Sequence, residues 1–167
     1  MSENENENAQ QNTQQGDGPQ FAIQRIYTKD ISFETPNSPA IFTEKWEPQV
    51  NVELNSTGNT VAEGVYEVTL SVTVTAKLGD KTAYLAEVQQ AGIFVLSGFS
   101  EQDMGGMIHS YCPNLLFPYV REVISDLVAK GSFPQMLLQP INFDLLYSQH
   151  LQQQQQQAGE TPEEPVH

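Results

Sequence analysis

Two residue types used in covalent catalysis lie three positions apart, at His109 and Cys112. On one face of a helix, an imidazole at this spacing could act as the base for a thiol nucleophile. The sequence offers no third group to orient the pair, and Pro113 disturbs the helix geometry that the pair would need. We therefore interpret Cys112 as a small buried thiol and His109 as an interface or surface imidazole, and we expect no enzymatic activity.

The other residues that could bind a metal or a phosphate are not arranged to do so. The three histidines, His109, His150 and His167, show no metal-ligand spacing. No glycine-rich loop is followed by Lys and Ser or Thr, which is the pattern of a nucleotide phosphate site. We expect neither a metal nor a cofactor.

Carboxylates give a more informative pattern. The stretch RIYTKDISFETPNSP, residues 25–39, alternates as a strand does and places Asp30 and Glu34 on one face. In a later alternating segment, Leu85 and Glu87 share a face. The polar side of the predicted sheet therefore carries three carboxylates around one leucine. Such a surface is either an ordinary solvated sheet face or a docking surface for another protein.

Aromatic residues form a second informative set, on or near segments that neither a tail nor the centre of a sheet would bury completely. Its members are Phe42, Trp46, Tyr84, Phe143 and Tyr147. One interpretation is simple packing in the core. The other is a groove between the sheet and the last helix, with the apolar connector FPQMLLQPIN, residues 133–142, as one wall.

Composition and charge restrict the class of protein. At 167 residues the chain has the length of about one domain, with 38% hydrophobic residues to form a core. Seven Lys and Arg stand against 21 Asp and Glu, so the formal net charge is -14, which disfavours nucleic acid and anionic membranes and favours a basic partner. The single cysteine excludes an intramolecular disulfide, and the sequence shows neither a secretory signal nor an apolar run long enough to span a bilayer. We expect a cytoplasmic protein with no direct membrane insertion.

The chain divides into three parts by composition. Residues 1–20 are acidic, without a base and with little apolar character, which predicts a disordered N-terminal arm. Residues 152–167 begin with a glutamine run and end in an acidic segment, which predicts a disordered tail. Residues 21–151 remain as the folded domain.

The first half of the domain predicts strands. Apolar and polar residues alternate in QVNVELN, VYEVTLSVTVTAK and TAYLAEVQQAGIFVL, which with the acidic strand makes about four strands. Gly79 and Asp80 in the short LGDK segment indicate a hairpin, so the last two strands should pair antiparallel. NSTGN, residues 55–59, indicates a turn or a longer loop between the second and third strands.

The second half of the domain predicts helices. Ser100 followed by Asp103 resembles a capping box, which marks the start of a long helical region. Pro113 and Pro118 should kink or break this region, so we expect two helical pieces. A last helix begins near Asn142, which is a good capping residue.

The later of the two helical pieces, residues 115–128, is apolar nearly all round and therefore needs two apolar neighbours. One neighbour is the sheet of its own chain. Because a small domain offers little else, we infer that the other is a second subunit. We place this interface at Tyr111, Cys112, Leu116, Val120 and Ile124.

Several of these segments together resemble the SecB family of bacterial protein-export chaperones. IQRIYTKDISFETPNSP, LAEVQQAGIF, YCPNLLFPYVREVISDLV and GSFPQMLLQPINFDLLY follow one another in the family's order over nearly all of residues 21–151. The resemblance implies an α+β fold with a four-stranded antiparallel sheet and two main helices packed on one face. It also implies a homotetramer, assembled as a dimer of dimers with helices at the centre and acidic sheets outside.

The resemblance further implies a function and a set of sites. SecB proteins are ATP-independent holdases that bind unfolded precursor proteins in the cytoplasm and deliver them to the SecA motor. By position, the family's contact for SecA matches Asp30, Glu34, Leu85 and Glu87. The regions that line the family's client groove contain Phe42, Trp46, Tyr84 and Phe143, and we add Tyr147 to this set.

Two other functions stay open from the residues alone. A small α+β enzyme could place its active site in the same groove, but it should then place paired acids or a histidine and an acid there, and the groove set is mostly aromatic. An acidic mimic that sequesters a nucleic-acid-binding protein would explain the charge without a groove. Binding of unfolded, uncharged apolar peptides would separate the chaperone from both.

Overall fold

The structure is a computed structural model that describes residues 18–159. Its elements are, in order, strand β1 (Gln20–Glu34), a 3-10 helix (Ala40–Thr43), strands β2 (Gln49–Ala62), β3 (Val65–Leu78) and β4 (Lys81–Ser97), helix α1 (Glu101–Gly106), a π-helix (Met107–Tyr111), helix α2 (Cys112–Lys130) and helix α3 (Phe143–Gly159). Residues 1–17 of the predicted arm and residues 160–167 of the predicted tail lie outside the described residues.

The four strands form one antiparallel sheet in the order β1-β4-β3-β2. This arrangement confirms the predicted four-stranded sheet of an α+β fold. The predicted hairpin joins β3 to β4, with Leu78 paired to Lys81. Gly79 in its turn has φ +58°, a conformation that favours glycine.

Within the described residues, helices cover one face of the sheet only. Along β3, every second side chain is fully buried, namely those of Val68, Leu70, Val72, Val74 and Ala76. α2 packs on β3 and β4 at this side, which we call the helix face. The alternate residues of β3 are mostly Ser and Thr and point to the other side, which we call the open face.

The prediction of a turn at NSTGN, residues 55–59, is wrong. This segment lies inside β2, where it pairs with residues 67–71 of β3. A glycine is needed at position 58 for close packing, since a Cβ atom added to Gly58 would lie 2.5 Å from Cγ2 of Ile108. The actual turn follows Ala62, where Gly64 has φ +67°. The polar residues of this segment suggest a turn, but they lie in a strand. β2 is at the edge of the sheet, where exposed positions do not require apolar side chains.

The helical region begins as predicted, because Ser100 Oγ accepts a hydrogen bond of 3.1 Å from the backbone N–H of Asp103. Two α-helical pieces are present, and they join through the π-helix. Pro113 lies in the first turn of α2, directly after the π-helix, and the helical backbone continues through it. α2 runs unbroken through Pro118, contrary to the expected break there. Burial of one side of α2 on the sheet outweighs the cost of about 3 kcal/mol that an internal proline imposes on a helix.

α3 begins as predicted but extends further than predicted. Asn142 Oδ1 accepts a hydrogen bond of 3.0 Å from the N–H of Leu145 and caps the helix. α3 then continues to Gly159, eight residues beyond the predicted domain end at Leu151. Glutamine is a good helix former, so the glutamine run extends the helix with exposed side chains. Within residues 18–159, no helix has both the length and the apolar character needed to cross a bilayer.

Candidate binding surfaces

Five aromatic rings form one connected group on the folded chain. This aromatic cluster consists of Phe33, Phe42, Trp46, Tyr84 and Phe133. The ring centroid of Phe133 lies 5.0 Å from that of Tyr84 and 5.2 Å from that of Phe42. Trp46 lies 5.6 Å from Phe133, and Phe33 stacks on Tyr84 at 5.8 Å. Since the five rings come from five different segments of the chain, only the tertiary fold assembles the cluster.

The aromatic cluster has a buried floor and an exposed edge. Tyr84 is 1% exposed, whereas Phe42 is 50% exposed. The hydroxyl of Tyr84 donates a hydrogen bond of 3.3 Å to Sδ of Met136, and burial raises the pKa of Tyr84. Ser125 of α2 donates a hydrogen bond of 2.8 Å to the backbone carbonyl of Met136. The connector after α2 is therefore fixed beside the cluster, and it adds apolar surface to it.

The structure separates the five residues that the sequence assigned to one groove. Three of them belong to the aromatic cluster, but Phe143 and Tyr147 do not. Phe143 packs on Phe117 at 5.8 Å, and Tyr147 stacks on His109 at 5.8 Å. These contacts lie near the start of α2, whereas Phe133 and the cluster lie at its end. A helix of 19 residues is about 28 Å long, so the two groups are distinct surfaces.

Phe33 and Phe133 belong to the cluster but are not among the residues predicted from the sequence. Alternation along β1 did place Phe33 on the face opposite the acidic residues, so a signal was present. The position of Phe133 depends on how the chain leaves α2, which no periodic pattern predicts. Gly131 allows the end of α2 to pack against Phe33 of β1, because a Cβ atom at position 131 would lie 2.7 Å from the ring of Phe33.

Two cavities flank the start of α3. The larger, of about 390 Å³, lies between the π-helix, the connector and α3. The smaller, of about 220 Å³, lies between β2 and α3. Its lining includes Leu54, Leu70, His109, Phe143, Tyr147 and His150. Phe143 lines both cavities, so the first turn of α3 is the partition between them.

The predicted carboxylates do lie together on the open face. In the pairing of β1 with β4, Glu34 lies opposite Leu85 and Ser32 lies opposite Glu87, with Asp30 at the next paired position on this side. The three carboxylate residues are exposed, and Leu85 is half-buried among them. We call Asp30, Glu34, Leu85 and Glu87 the acidic face.

Glu67 is another carboxylate of the sheet. Unlike the carboxylates of the acidic face, it is bonded to two side chains of β1. Lys29 Nζ donates to Glu67 Oε1 at 2.7 Å, and the hydroxyl of Tyr27 donates to the other carboxylate oxygen. The hydrogen bond from Lys29, followed by that from Tyr27, lowers the pKa of Glu67. The same contact with Glu67, aided by burial, raises the pKa of Tyr27 to about 12. This group is a structural tie between β1 and β3.

His109 and Cys112 do not form a nucleophile and base pair. Cys112 is fully buried, and burial raises its pKa to about 12, which keeps the thiol protonated. His109 instead contacts Ser56, with Nδ1 and Oγ 3.2 Å apart, and stacks on Tyr147. The described part of the chain contains no group of three or more His, Cys, Asp and Glu side chains that could hold a metal ion.

Four of the five residues assigned to a subunit interface lie in the core of the chain itself. Cys112, Leu116, Val120 and Ile124 each have 0% exposure and belong to the buried cluster between α2 and the sheet. Their assignment is corrected, because the stripe of α2 that they form is already covered by the same chain. Tyr111 is exposed and contacts Phe21 of β1, with ring centroids 5.1 Å apart.

Comparisons with known proteins agree with this architecture. A family model described as preprotein translocase subunit SecB matches residues 13–154. The protein-export protein SecB of Methylococcus capsulatus is 65% identical over 139 residues, which cover 83% of this chain and 90% of that protein. The corresponding protein of Nitrosococcus oceani is 59% identical over 152 residues, covering 90% of this chain and 92% of the relative. That of Marinobacter nauticus is 51% identical over 168 residues, with 100% of both chains covered.

A solved structure supports the fold independently. A SecB-like chaperone of Mycobacterium tuberculosis, in complex with a ChAD peptide from the HigA1 antitoxin, matches with a TM-score of 0.61. The match covers 72% of this chain and 90% of that chain at 16% sequence identity. A four-stranded antiparallel sheet with helices packed on one face defines the general class, an α+β protein. With the family model matching most of its length, the chain belongs to the SecB family.

Proposed function

We propose that this chain is an ATP-independent holdase that binds unfolded precursor proteins in the cytoplasm, keeps them competent for translocation and delivers them to SecA. Membership of the SecB family supports the proposal, since relatives with 51% to 65% identity are named protein-export proteins. The observation that carries it is the aromatic cluster, in which rings from five segments join a buried floor to an exposed edge.

The aromatic cluster is the proposed first contact for the client. An unfolded precursor exposes apolar side chains, and their burial contributes about 25 cal/mol per Å². Phe42 offers an exposed ring, and Leu137 of the connector, which is 58% exposed, extends the apolar surface. Tyr147, which is half-buried, forms a second proposed contact near the other end of α2, with the buried Phe143 beneath it. A folded client keeps its apolar groups inside and does not compete for these sites.

The acidic face is the proposed contact for SecA. Asp30, Glu34 and Glu87 are exposed on the open face of the sheet, and the basic partner would meet Leu85 among them. Charge complementarity of this kind orients an encounter and weakens as salt is added. Because the acidic face and the aromatic cluster lie on opposite sides of the sheet, the chain could hold a client and contact SecA at once.

A homotetramer, built as a dimer of dimers, is the proposed assembly. β1 is an edge strand that exposes Phe21, Ile23 and Ile31, and α2 exposes Tyr119. A second copy of the chain would cover such apolar groups and complete the sheet edge. A tetramer carries several client sites. Once one segment of a long client is bound, its other segments are held near the remaining sites at a high effective concentration, so several weak contacts together give tight binding.

The proposed function is tested with one precursor in two states. The chain is immobilised and offered a slow-folding precursor, either unfolded or already folded. We expect retention of the unfolded form only. Equal retention of both forms, or retention of neither, would refute a holdase. A basic folded protein serves as a third sample, because an acidic mimic would retain it in preference to the unfolded precursor.

A further inference from the structure

The connector between α2 and α3 is held in place by side chains more than by its own backbone. Residues 133–142 form neither a helix nor a strand. Within residues 18–159, no backbone–backbone hydrogen bond joins residues 134–141 to another part of the chain. Such a segment keeps a fixed path only where neighbouring elements bind its side chains or carbonyl groups. These contacts therefore decide where the exposed side chains of the connector lie.

Met136 is the point at which two hydroxyl groups bind the connector. Ser125 of α2 donates a hydrogen bond of 2.8 Å to the backbone carbonyl of Met136, and Tyr84 of β4 donates one of 3.3 Å to its Sδ atom. A serine inside a helix commonly donates to a carbonyl of its own preceding turn, but Ser125 donates to a residue eleven positions further along the chain. We call these two hydrogen bonds the connector clamp. The clamp fixes one connector residue to both the helix and the sheet.

The residue after Met136 is exposed between two anchored neighbours. Leu137 is 58% exposed, whereas Leu138 is 5% exposed and belongs to the core. Since the clamp binds Met136 on one side and the core holds Leu138 on the other, Leu137 is held outward. Its apolar surface is therefore in place before a client arrives, which lowers the ordering cost of binding.

We propose that Ser125 is a positioning residue for client binding, which acts through Met136 to hold Leu137 beside the aromatic cluster. The partner is an apolar segment of an unfolded precursor, and in this respect the inference rests on the proposed holdase function. When a binding-competent conformation is populated only in part, the apparent affinity falls by that fraction. Loss of one hydrogen bond should therefore lower client affinity by about two- to tenfold.

Proteolysis of the folded chain tests the clamp without any client. Chymotrypsin cleaves after large apolar side chains, and it cuts a loop faster when the loop leaves its fixed path. We expect cleavage within residues 133–142 to be about two- to tenfold faster in Ser125→Ala than in the wild type. Alanine is a better helix former than serine, so α2 itself should not be weakened. Equal cleavage of Ser125→Ala and the wild type would overturn the proposal.

Two further variants show whether the hydroxyl group at position 125 is the cause. Ser125→Thr keeps the hydroxyl and should match the wild type in cleavage and in client affinity. Ser148→Ala is the matched control, because Ser148 also donates a hydrogen bond of 2.8 Å to a backbone carbonyl, that of Asp144 within α3. It should leave both measurements unchanged. A Ser125→Thr or Ser148→Ala protein that behaves like Ser125→Ala would contradict the assignment.

A double-mutant cycle with Leu137 separates positioning from a general effect on stability. Affinity for an unfolded precursor that lacks tryptophan is measured by the emission of Trp46, the single tryptophan of the chain. We expect Ser125→Ala to lower the affinity by about two- to tenfold, and to have little further effect once Leu137→Ala is present. Independent effects of the two substitutions would show that Ser125 does not act through Leu137.

The two proposals fail in different ways. If the wild-type chain retains no unfolded precursor, the holdase function is refuted and the client role of Ser125 falls with it. The cleavage experiment still decides whether the clamp holds the connector. If the precursor is retained and Ser125→Ala changes cleavage but not affinity, the clamp is only a structural tie, and the positioning role alone is refuted.

Discussion

Glu34 of β1 lies directly opposite Leu85 of β4, on the open face of the sheet. The pair brings a carboxylate and an apolar side chain together from segments about fifty residues apart in the sequence. Glu87 lies two residues further along β4, where its side chain points to the same side. A basic partner can therefore meet charge and apolar surface together on this face.

Charge reversal on the acidic face should separate SecA binding from client binding. Glu87→Lys, or Asp30→Lys with Glu34→Lys, places a like charge against a basic partner and should weaken SecA binding about tenfold or more. Titration calorimetry at low and high salt measures the change. Retention of the unfolded precursor should not change.

Glu63→Lys is the matched control for this charge reversal. It makes the same change in net charge at the turn between β2 and β3, near the far end of the sheet from Glu87. SecA affinity that is unchanged in Glu87→Lys, or lowered equally in Glu63→Lys, would count against the assignment of the acidic face.

Removal of the exposed ring of the aromatic cluster should weaken client binding without unfolding the chain. Phe42 is half exposed and contacts Phe133, so Phe42→Ala removes a contact surface more than a part of the core. Since an aromatic contact contributes about 0.5–1.5 kcal/mol, we expect a loss of affinity of about two- to tenfold. Binding of a labelled unfolded precursor measures the change.

Val61→Ala is the control for the ring removal. Val61 is 59% exposed and lies near the far end of β2 from Trp46 and the cluster. If Phe42→Ala retains the client as well as the wild type does, or if both variants lose the same affinity, the cluster is not the client site.

The tie between β1 and β3 should have a measurable pH signature. Glu67→Gln removes the charged acceptor for Lys29 and Tyr27 and should lower stability by about 1–2 kcal/mol near neutral pH. The lowered pKa of Glu67 means that its contribution is present above 4.5 and is lost as the pH falls below that value. Urea unfolding at several pH values should show the difference between variant and wild type shrinking in acid.

The same variant should also change the titration of one tyrosine. The pKa of Tyr27 should fall from about 12 towards 10.0 once a neutral amide replaces the carboxylate that accepts its hydrogen bond. Ultraviolet absorbance of the tyrosinate form measures this shift. A Tyr27 titration that is identical in both proteins would show that the hydrogen bond to Glu67 is not the cause.

Two substitutions near α2 should separate folding from assembly. Leu116→Ala creates a cavity in the core of the chain and should cost about 2–5 kcal/mol of stability. Tyr111→Ser changes an exposed ring and should leave the stability of the subunit nearly unchanged, but it should weaken the proposed tetramer. Unfolding curves and light scattering measure the two effects. A Tyr111→Ser protein that remains tetrameric at all concentrations would remove this residue from the interface.

Strand alternation predicted more of the structure than helix periodicity did. Alternation over VYEVTLSVTVTAK predicts the face on which each side chain of β3 lies, because side chains of a strand alternate with a period of two. A shift of one residue would place every side chain on the opposite face. The same rule placed Leu85 and Glu87 together on the open face. For α2, the sequence showed apolar residues nearly all round, so it could not tell which stripe faces the sheet. The sequence therefore predicts Leu116 at a subunit interface. In the structure Leu116 is fully buried in the core of its own chain and cannot contact a second subunit.

By itself, the sequence determined the four-stranded sheet, the helix caps at Ser100 and Asn142 and the side of the sheet that carries the acidic face. These features depend on neighbours in sequence or on a fixed period of two. Only the tertiary structure decided which aromatic residues meet. Phe133 joins Phe42 and Tyr84, and α3 takes Phe143 to the other end of α2. The physical reason is that contacts between distant segments depend on where irregular connectors leave a helix, and no local periodicity encodes that path.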